Sequence, residues 1–141
     1  MLKYITGKET LYLRSTVLRN NVPEQECIFE TDHMGFHLGA FVEDQLVSVA
    51  TFFPNDYSDL GPGGYQLRGM ATATAFSRRG HGASLIVFAL GELKGMGVNY
   101  LWCNARKNAA DFYKKLNFEI ISLEFEVPGI GPHYKMSIQI Q

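Results

Sequence analysis

Short runs of apolar residues, some alternating with polar ones and some at helical spacing, recur along the chain between clusters of turn formers. Residues 2–6 read as a first strand. Residues 9–19 carry Leu11, Val17 and Leu18 at loosely helical spacing, with Pro23 beyond them as a stop. Residues 36–42 and 46–53 are β-rich runs split by Glu43-Asp44-Gln45, a hairpin signal. A Gly/Pro-rich loop over 55–64 leads to a further strand over 65–72. Residues 83–93 hold Leu85, Ile86, Phe88, Ala89, Leu90 and Leu93 on a helical repeat that Gly95 and Gly97 end. A short strand over 100–103 and a second helix over 109–116 follow, with Asn117 as its C′ residue. Residues 118–127 and 134–140 alternate like antiparallel strands, joined by Pro128-Gly129-Ile130-Gly131-Pro132. The succession of strand, helical region, three strands, helix, strand, helix and two strands predicts a mixed α/β (α+β) fold. No repeat, low-complexity tract or linker interrupts it, so residues 1–141 are expected to form a single domain.

Composition narrows the function classes. A hydrophobic fraction of 46% and a charged fraction of 19% are those of a globular chain with a real core. The net charge of -1 argues against general nucleic-acid or membrane-surface binding, which needs a basic field. Cys27 and Cys103 form no C-x-x-C pair, and no His pair at ligand spacing accompanies them, so neither a disulfide framework nor a metal site is expected. The first residues lack an apolar signal core, and no apolar run is long enough to cross a membrane. The expected location is the cytoplasm.

The local chemistry lies where the strand over 65–72 gives way to the long helix, at Arg78-Arg79-Gly80-His81-Gly82-Ala83-Ser84. Two glycines separated by one residue let the backbone turn sharply with its N–H groups pointing into one concavity. The helix N-terminus that follows carries roughly half a positive charge, and two arginines stand before it. This is an anion site suited to a pyrophosphate. Read alone, Gly-x-Gly is also compatible with a plain turn and the arginines with a solvated face. A P-loop is excluded because no Gly-Lys-Ser/Thr follows. A dinucleotide fingerprint is excluded because Leu85 stands where its third glycine belongs.

Three segments together resemble the GCN5-related N-acetyltransferase family. Leu67-Arg68-Gly69-Met70-Ala71-Thr72 looks like that family's fourth strand. Arg78–Ala83 looks like its Arg/Gln-x-x-Gly-x-Gly/Ala loop, and Ala109-x-x-Phe112-Tyr113-x-Lys115-Leu116-x-Phe118 looks like its second motif helix. The resemblance implies a mixed, mostly antiparallel central sheet of about six to seven strands flanked by helices. It also implies acetyl-CoA as co-substrate, with no metal. The main chain of Met70, Ala71 and Thr72 would bind the pantetheine arm like an added strand. The N–H groups from Arg78, Arg79, Gly80, His81, Gly82 and Ala83 would hold the pyrophosphate, with Ser84 at the helix start. Asn108 and Lys115 would approach the cofactor, and Tyr113 matches the tyrosine that protonates the departing thiolate in many relatives. Homodimers are common in the family; no nucleic-acid or membrane partner is implied.

Three positions depart from the pattern. Ser77 stands where the family usually has Arg or Gln, Arg106 replaces a frequent Asn, and Gln66 stands where some relatives place a glutamate base. An alkyl amine with a pKa near 10.4 is neutral in only about one molecule in 2,500 at pH 7, so some group must take its proton. His133 is the leading base, in the loop before the last strand, and His37 is second. Arg14, Arg19 and Arg68 are suited to pairing an acceptor carboxylate, although each also fits a surface or structural role. The expected activity is acetyl transfer from acetyl-CoA to a primary amine by direct attack. The alternative is a non-catalytic acyl-CoA-binding or regulatory module, suggested by the glutamine at 66.

Overall fold

Glu43 and Asp44 take left-handed angles, with φ of 49° and 66°. Such a pair makes a two-residue turn whose twist matches that of the strands it joins. Gln45, expected in the turn, therefore begins the second strand. In the computed structural model, which describes residues 1–141, this hairpin joins β2 (Phe36–Val42) to β3 (Gln45–Pro54). The chain divides into two compact units. The first is Met1–Pro54 with Leu67–Ala89, and the second is Asn55–Gln66 with Leu90–Gln141.

In the first unit, β1 (Leu2–Ile5) pairs antiparallel with β2, and β2 pairs antiparallel with β3. On the other side of β3 runs β4 (Gly64–Thr72), which enters this unit at Leu67. The helical region is continuous but irregular. A 3₁₀ turn at Lys8–Thr10 leads into α1 (Leu11–Leu13) and then a π-helical turn, Arg14–Leu18. Leu13 of this region packs with Val49 of β3 and Ala71 of β4, flanked by Ile5, Val17, Leu18 and Leu46. The apolar face expected there is thus real, yet Arg14 and Ser15 are buried on it as well. Two further 3₁₀ turns, Glu24–Cys27 and Asp32–Met34, occupy the polar segment before β2.

Helix α2 (His81–Gly95) starts two residues before its apolar repeat does. Its first backbone bond runs from Ser84 N–H to Gly80 O at 3.0 Å, so Gly80 is the N-cap and His81 and Gly82 are already helical.

In the second unit β8 (Gly131–Gln139) is the central strand, with β5 (Tyr100–Arg106) antiparallel on one side. On its other side lie β6 (Glu119–Ile120) and β7 (Phe125–Val127), both antiparallel to it. The single strand expected over 118–127 is therefore two, which raises the total to eight. Ser122 causes the break by accepting the Lys135 N–H on its side-chain oxygen at 2.9 Å, in place of a backbone ladder bond. His133 also differs from expectation. It lies inside β8, opposite Phe125 on one side and Arg106 on the other, not in the loop. The turn is shorter, closed by Ile130 N–H to Val127 O at 3.0 Å over Pro128-Gly129, with Gly129 at φ 79°. Helix α3 (Ala110–Lys115) follows a 3₁₀ turn at Lys107–Ala109 and buries Tyr113.

Candidate functional site

The loop before α2 has the backbone that anion binding demands. Arg78 and Gly80 are both left-handed, at φ 62° and 83°, while Arg79 between them is not. Alternating handedness turns successive N–H groups toward one side and makes a concave nest. For Arg78 this conformation is strained, because its Cβ crowds the following carbonyl. A Cβ built on Gly80 would meet nothing within 4 Å, so the space beside the turn is open. Helix geometry leaves the N–H groups of Gly80, His81, Gly82 and Ala83 without intrahelical partners. No acidic residue in the first turn of α2 offsets its positive end. Arg78 and Arg79 are exposed, and the Arg79 guanidinium carbon lies 5.4 Å from the Phe76 ring centroid. Ser84 differs from its neighbours, since its N–H donates to Gly80 O and its hydroxyl to His81 O at 2.7 Å. These residues fit a pyrophosphate.

Met70, Ala71 and Thr72 end β4 in the same unit, with Met70 and Thr72 half-buried. Thr72 is pinned by its hydroxyl, 2.7 Å from that of Ser48, and the next residue donates its N–H to Val47 O at 2.8 Å.

The second unit holds the other candidates. Asn108 is exposed and lines a shallow cavity of about 290 Å³ with Arg106, Lys107, Ile130 and Pro132. Lys115 is exposed in the last turn of α3. Tyr113 is buried, with Phe112 and Phe118 edge-on to its ring, and its hydroxyl hydrogen-bonds the Cys103 thiol. Burial pushes the Cys103 thiol up to about 12, so it stays protonated. Burial, and then the neighbouring Cys103, also push Tyr113 well above a phenol's ordinary value. His133 is buried and its Nδ1 lies 2.9 Å from Gly131 O. A carbonyl only accepts, so Nδ1 donates to it, and Nε2 is the ring nitrogen left to act as acceptor. Gln66 is also buried, and its Oε1 accepts from Asn55 Nδ2 at 2.9 Å, which makes it a structural amide.

Sequence reasoning did not foresee a polar network buried in the first unit. Arg14 donates to both Asp32 carboxylate oxygens at 2.7 and 2.9 Å, to Cys27 O at 3.0 Å and to the Thr51 hydroxyl at 2.7 Å. Thr51 in turn lies 2.8 Å from His37 Nδ1, and His37 Nε2 lies 3.0 Å from Asp32 O. The carbonyl must accept from Nε2, so Nδ1 accepts from Thr51. Both nitrogens of His37 are thereby committed, which removes it as a base. One signal was present, because Leu11, Arg14, Ser15 and Leu18 share a helical face, and a buried arginine there requires a carboxylate.

This network sets a pH dependence. Burial pushes the Asp32 carboxyl up, but the Arg14 hydrogen bonds, the Phe29 N–H and the charge of Arg14 outweigh it and hold it below its ordinary value. Burial pushes His37 down, against a smaller opposing pull from Asp32. Both groups bind protons more readily in the unfolded chain, so stability rises with pH. It is expected to be complete above about pH 6.5, to fall as unfolded His37 charges, and to fall again below about pH 4 through Asp32. The urea midpoint should be lower at pH 5 than at pH 7.5, and His37→Gln should flatten that segment. A midpoint that rises on acidification contradicts this assignment.

Comparison with known proteins places the chain. Residues 7–118 match the model of the acetyltransferase (GNAT) family. The chain belongs to the GNAT acetyltransferase family. It is 36% identical over 138 residues to the uncharacterized N-acetyltransferase YitI of Bacillus subtilis strain 168, covering 96% of this chain and 93% of that one. Its fold resembles that of the ribosomal-protein-S18-alanine N-acetyltransferase of Escherichia coli (TM-score 0.78, 17% identity, 99% and 93% coverage). It also resembles an aminoglycoside 6'-N-acetyltransferase solved with coenzyme A (TM-score 0.75, 16% identity, 100% and 97% coverage). Family membership decides for an N-acetyltransferase enzyme over a binding module.

Proposed function

We propose that this GNAT enzyme moves the acetyl group of acetyl-CoA to a primary amine by direct attack. The observation that carries the reading is the left-handed turn at Arg78 and Gly80 feeding the N-terminus of α2. In this reading the N–H groups of Gly80, His81, Gly82 and Ala83 hold the pyrophosphate, Arg78 and Arg79 add charge, and Ser84 closes the first turn. The main chain at Met70, Ala71 and Thr72 takes the pantetheine arm, and Asn108 and Lys115 serve the cofactor as the family pattern implies. His133 Nε2 accepts the proton that the amine must lose. The amine nitrogen then forms its bond to the thioester carbon, the C–S bond breaks, and the Tyr113 hydroxyl returns a proton to the departing thiolate. The whole chain acts as one acetyltransferase domain in the cytoplasm.

The test pairs calorimetry with acetyl-CoA and an amine panel read by release of free thiol. The expected results are binding and turnover. Replacing Arg78 and Arg79 together by alanine should weaken acetyl-CoA binding about 10–100-fold, the worth of charge-assisted phosphate bonds. Neither arginine forms a salt bridge, so the melting temperature should hold. Absence of acetyl-CoA binding refutes the reading. Unchanged binding in the double variant moves the pyrophosphate elsewhere.

A further inference from the structure

The first unit carries an excess of positive charge beside β4. Arg68 is exposed on that strand and forms no salt bridge. Burial of its stem, then the positive charges of Arg14 and Arg19, weigh against its own charge, and Asp32 only partly offsets them. Asp32 is engaged by Arg14 on both carboxylate oxygens and by the Phe29 N–H, and its salt bridge is to Arg14, not Arg68. Asp32 is thus the one carboxylate that offsets Arg68, and Arg14 holds it.

Arg68 is also held in place. Its guanidinium carbon lies 3.9 Å from the Phe29 ring centroid, and that of Arg14 lies 3.9 Å from the same centroid. Stacking on a ring leaves the in-plane N–H fork of a guanidinium free, and this fork matches the two oxygens of a carboxylate. A side chain already ordered by stacking also loses less freedom on binding.

A second observation comes from Gly69. At φ 66° it is left-handed, and a Cβ there would stand 3.0 Å from both Arg14 Nε and the edge of Phe29. The missing side chain lets the β4 backbone close directly over Arg14 Nε, a buried donor with no hydrogen-bond partner. Gly69 thus packs against both Arg14 and Phe29, so the ring on which Arg68 stacks is held from the β4 backbone.

We propose that Arg68, stacked on Phe29 beside Gly69, is the carboxylate subsite for the acceptor, so that the substrates are amines that also carry a carboxylate. This rests on the acetyl-transfer reading above. Arg68 stands two residues before Met70, on the strand assigned to the pantetheine arm. An acceptor anchored there by its carboxylate presents its amine from the same strand.

The experiment compares short amines in matched pairs, ω-amino acids and tripeptides against their carboxamides, on the wild-type enzyme and on Arg68→Gln and Arg68→Lys. Amines bearing a phosphate in place of the carboxylate form a further arm. Acetyl-CoA affinity is measured in parallel, together with calorimetric binding of the carboxylates to the CoA-loaded protein. The wild-type enzyme should prefer the carboxylate member by about 10–100-fold in kcat/KM, through KM. Arg68→Gln should abolish that preference with acetyl-CoA affinity unchanged, and Arg68→Lys should retain a small part of it. Equal use of acid and amide overturns the inference, as does preference for the phosphate, an equal loss on both members in Arg68→Gln, or absence of both turnover and carboxylate binding. If acetyl-CoA itself fails to bind, the acetyl-transfer reading falls; if it binds and only neutral amines react, that reading stands and the carboxylate subsite alone is wrong.

Discussion

Arg14→Ala is expected to lower the free energy of unfolding by about 3–5 kcal/mol, the usual cost of removing one partner from a buried ion pair. Arg14 is 1% exposed, and the side chain of Asp32 is 13% exposed. The substitution deletes four hydrogen bonds at once and leaves the Asp32 carboxylate facing protein with only the Phe29 N–H, 3.0 Å away. It also removes one cation from the Phe29 ring. Urea denaturation at pH 7 reads the loss. Most of the penalty is the stranded charge, so Arg14→Ala combined with Asp32→Asn should recover part of it: the amide oxygen still accepts from Phe29 N–H, and no charge is buried. A loss below about 1 kcal/mol in Arg14→Ala would place the pair in the class of solvated surface bridges. An equal loss in the single and double variants would assign the effect to packing of the arginine stem.

The contrast between Arg14 and the loop before α2 shows what a sequence discloses. The turn before α2 was legible because it needs only local backbone: a glycine that permits a left-handed residue and a helix start. The β2–β3 hairpin and α2 were legible for the same reason, since their patterns close within a few residues. Arg14 binds Asp32, Thr51 and Cys27, partners 13 to 37 residues away, and no local spacing announces such a set. The break at Ser122 was equally hidden, because it depends on the Lys135 N–H of another strand. So was the placement of His133 in β8, since Pro132 and Gly131 read as loop residues until β7 pairs with them. The acceptor side follows this logic, because its candidate residues come from segments that only the fold brings near one another, such as Phe29 and Arg68. Family resemblance therefore proposes residues for the donor half of the chemistry, most of them through their backbone, and leaves the acceptor half to side chains.

Tyr113→Phe is expected to lower kcat by about 10²–10⁴ while the KM for acetyl-CoA stays nearly constant, the signature of a lost general acid. Burial keeps the Tyr113 hydroxyl protonated at neutral pH, so it has a proton to give. The same burial makes the gift harder. An alkyl thiol near 8.5 lies at least about 1.5 pK units below a phenol in water, which is about 2 kcal/mol uphill before burial raises the phenol further. The transfer gains ground only where the thiolate is itself desolvated, since low polarity raises its proton affinity by the same mechanism. The hydrogen bond to Cys103 separates this role from packing. Cys103→Ala removes the partner and keeps the hydroxyl, so it should leave kcat within a few-fold, whereas Tyr113→Phe keeps the ring against Phe112 and Phe118 and removes the proton. Single-turnover measurements with saturating amine read the chemical step without product release. If Tyr113→Phe changes that step by less than about threefold, the thiolate takes its proton from water, and the buried Tyr113–Cys103 pair is a packing element of α3 against β5.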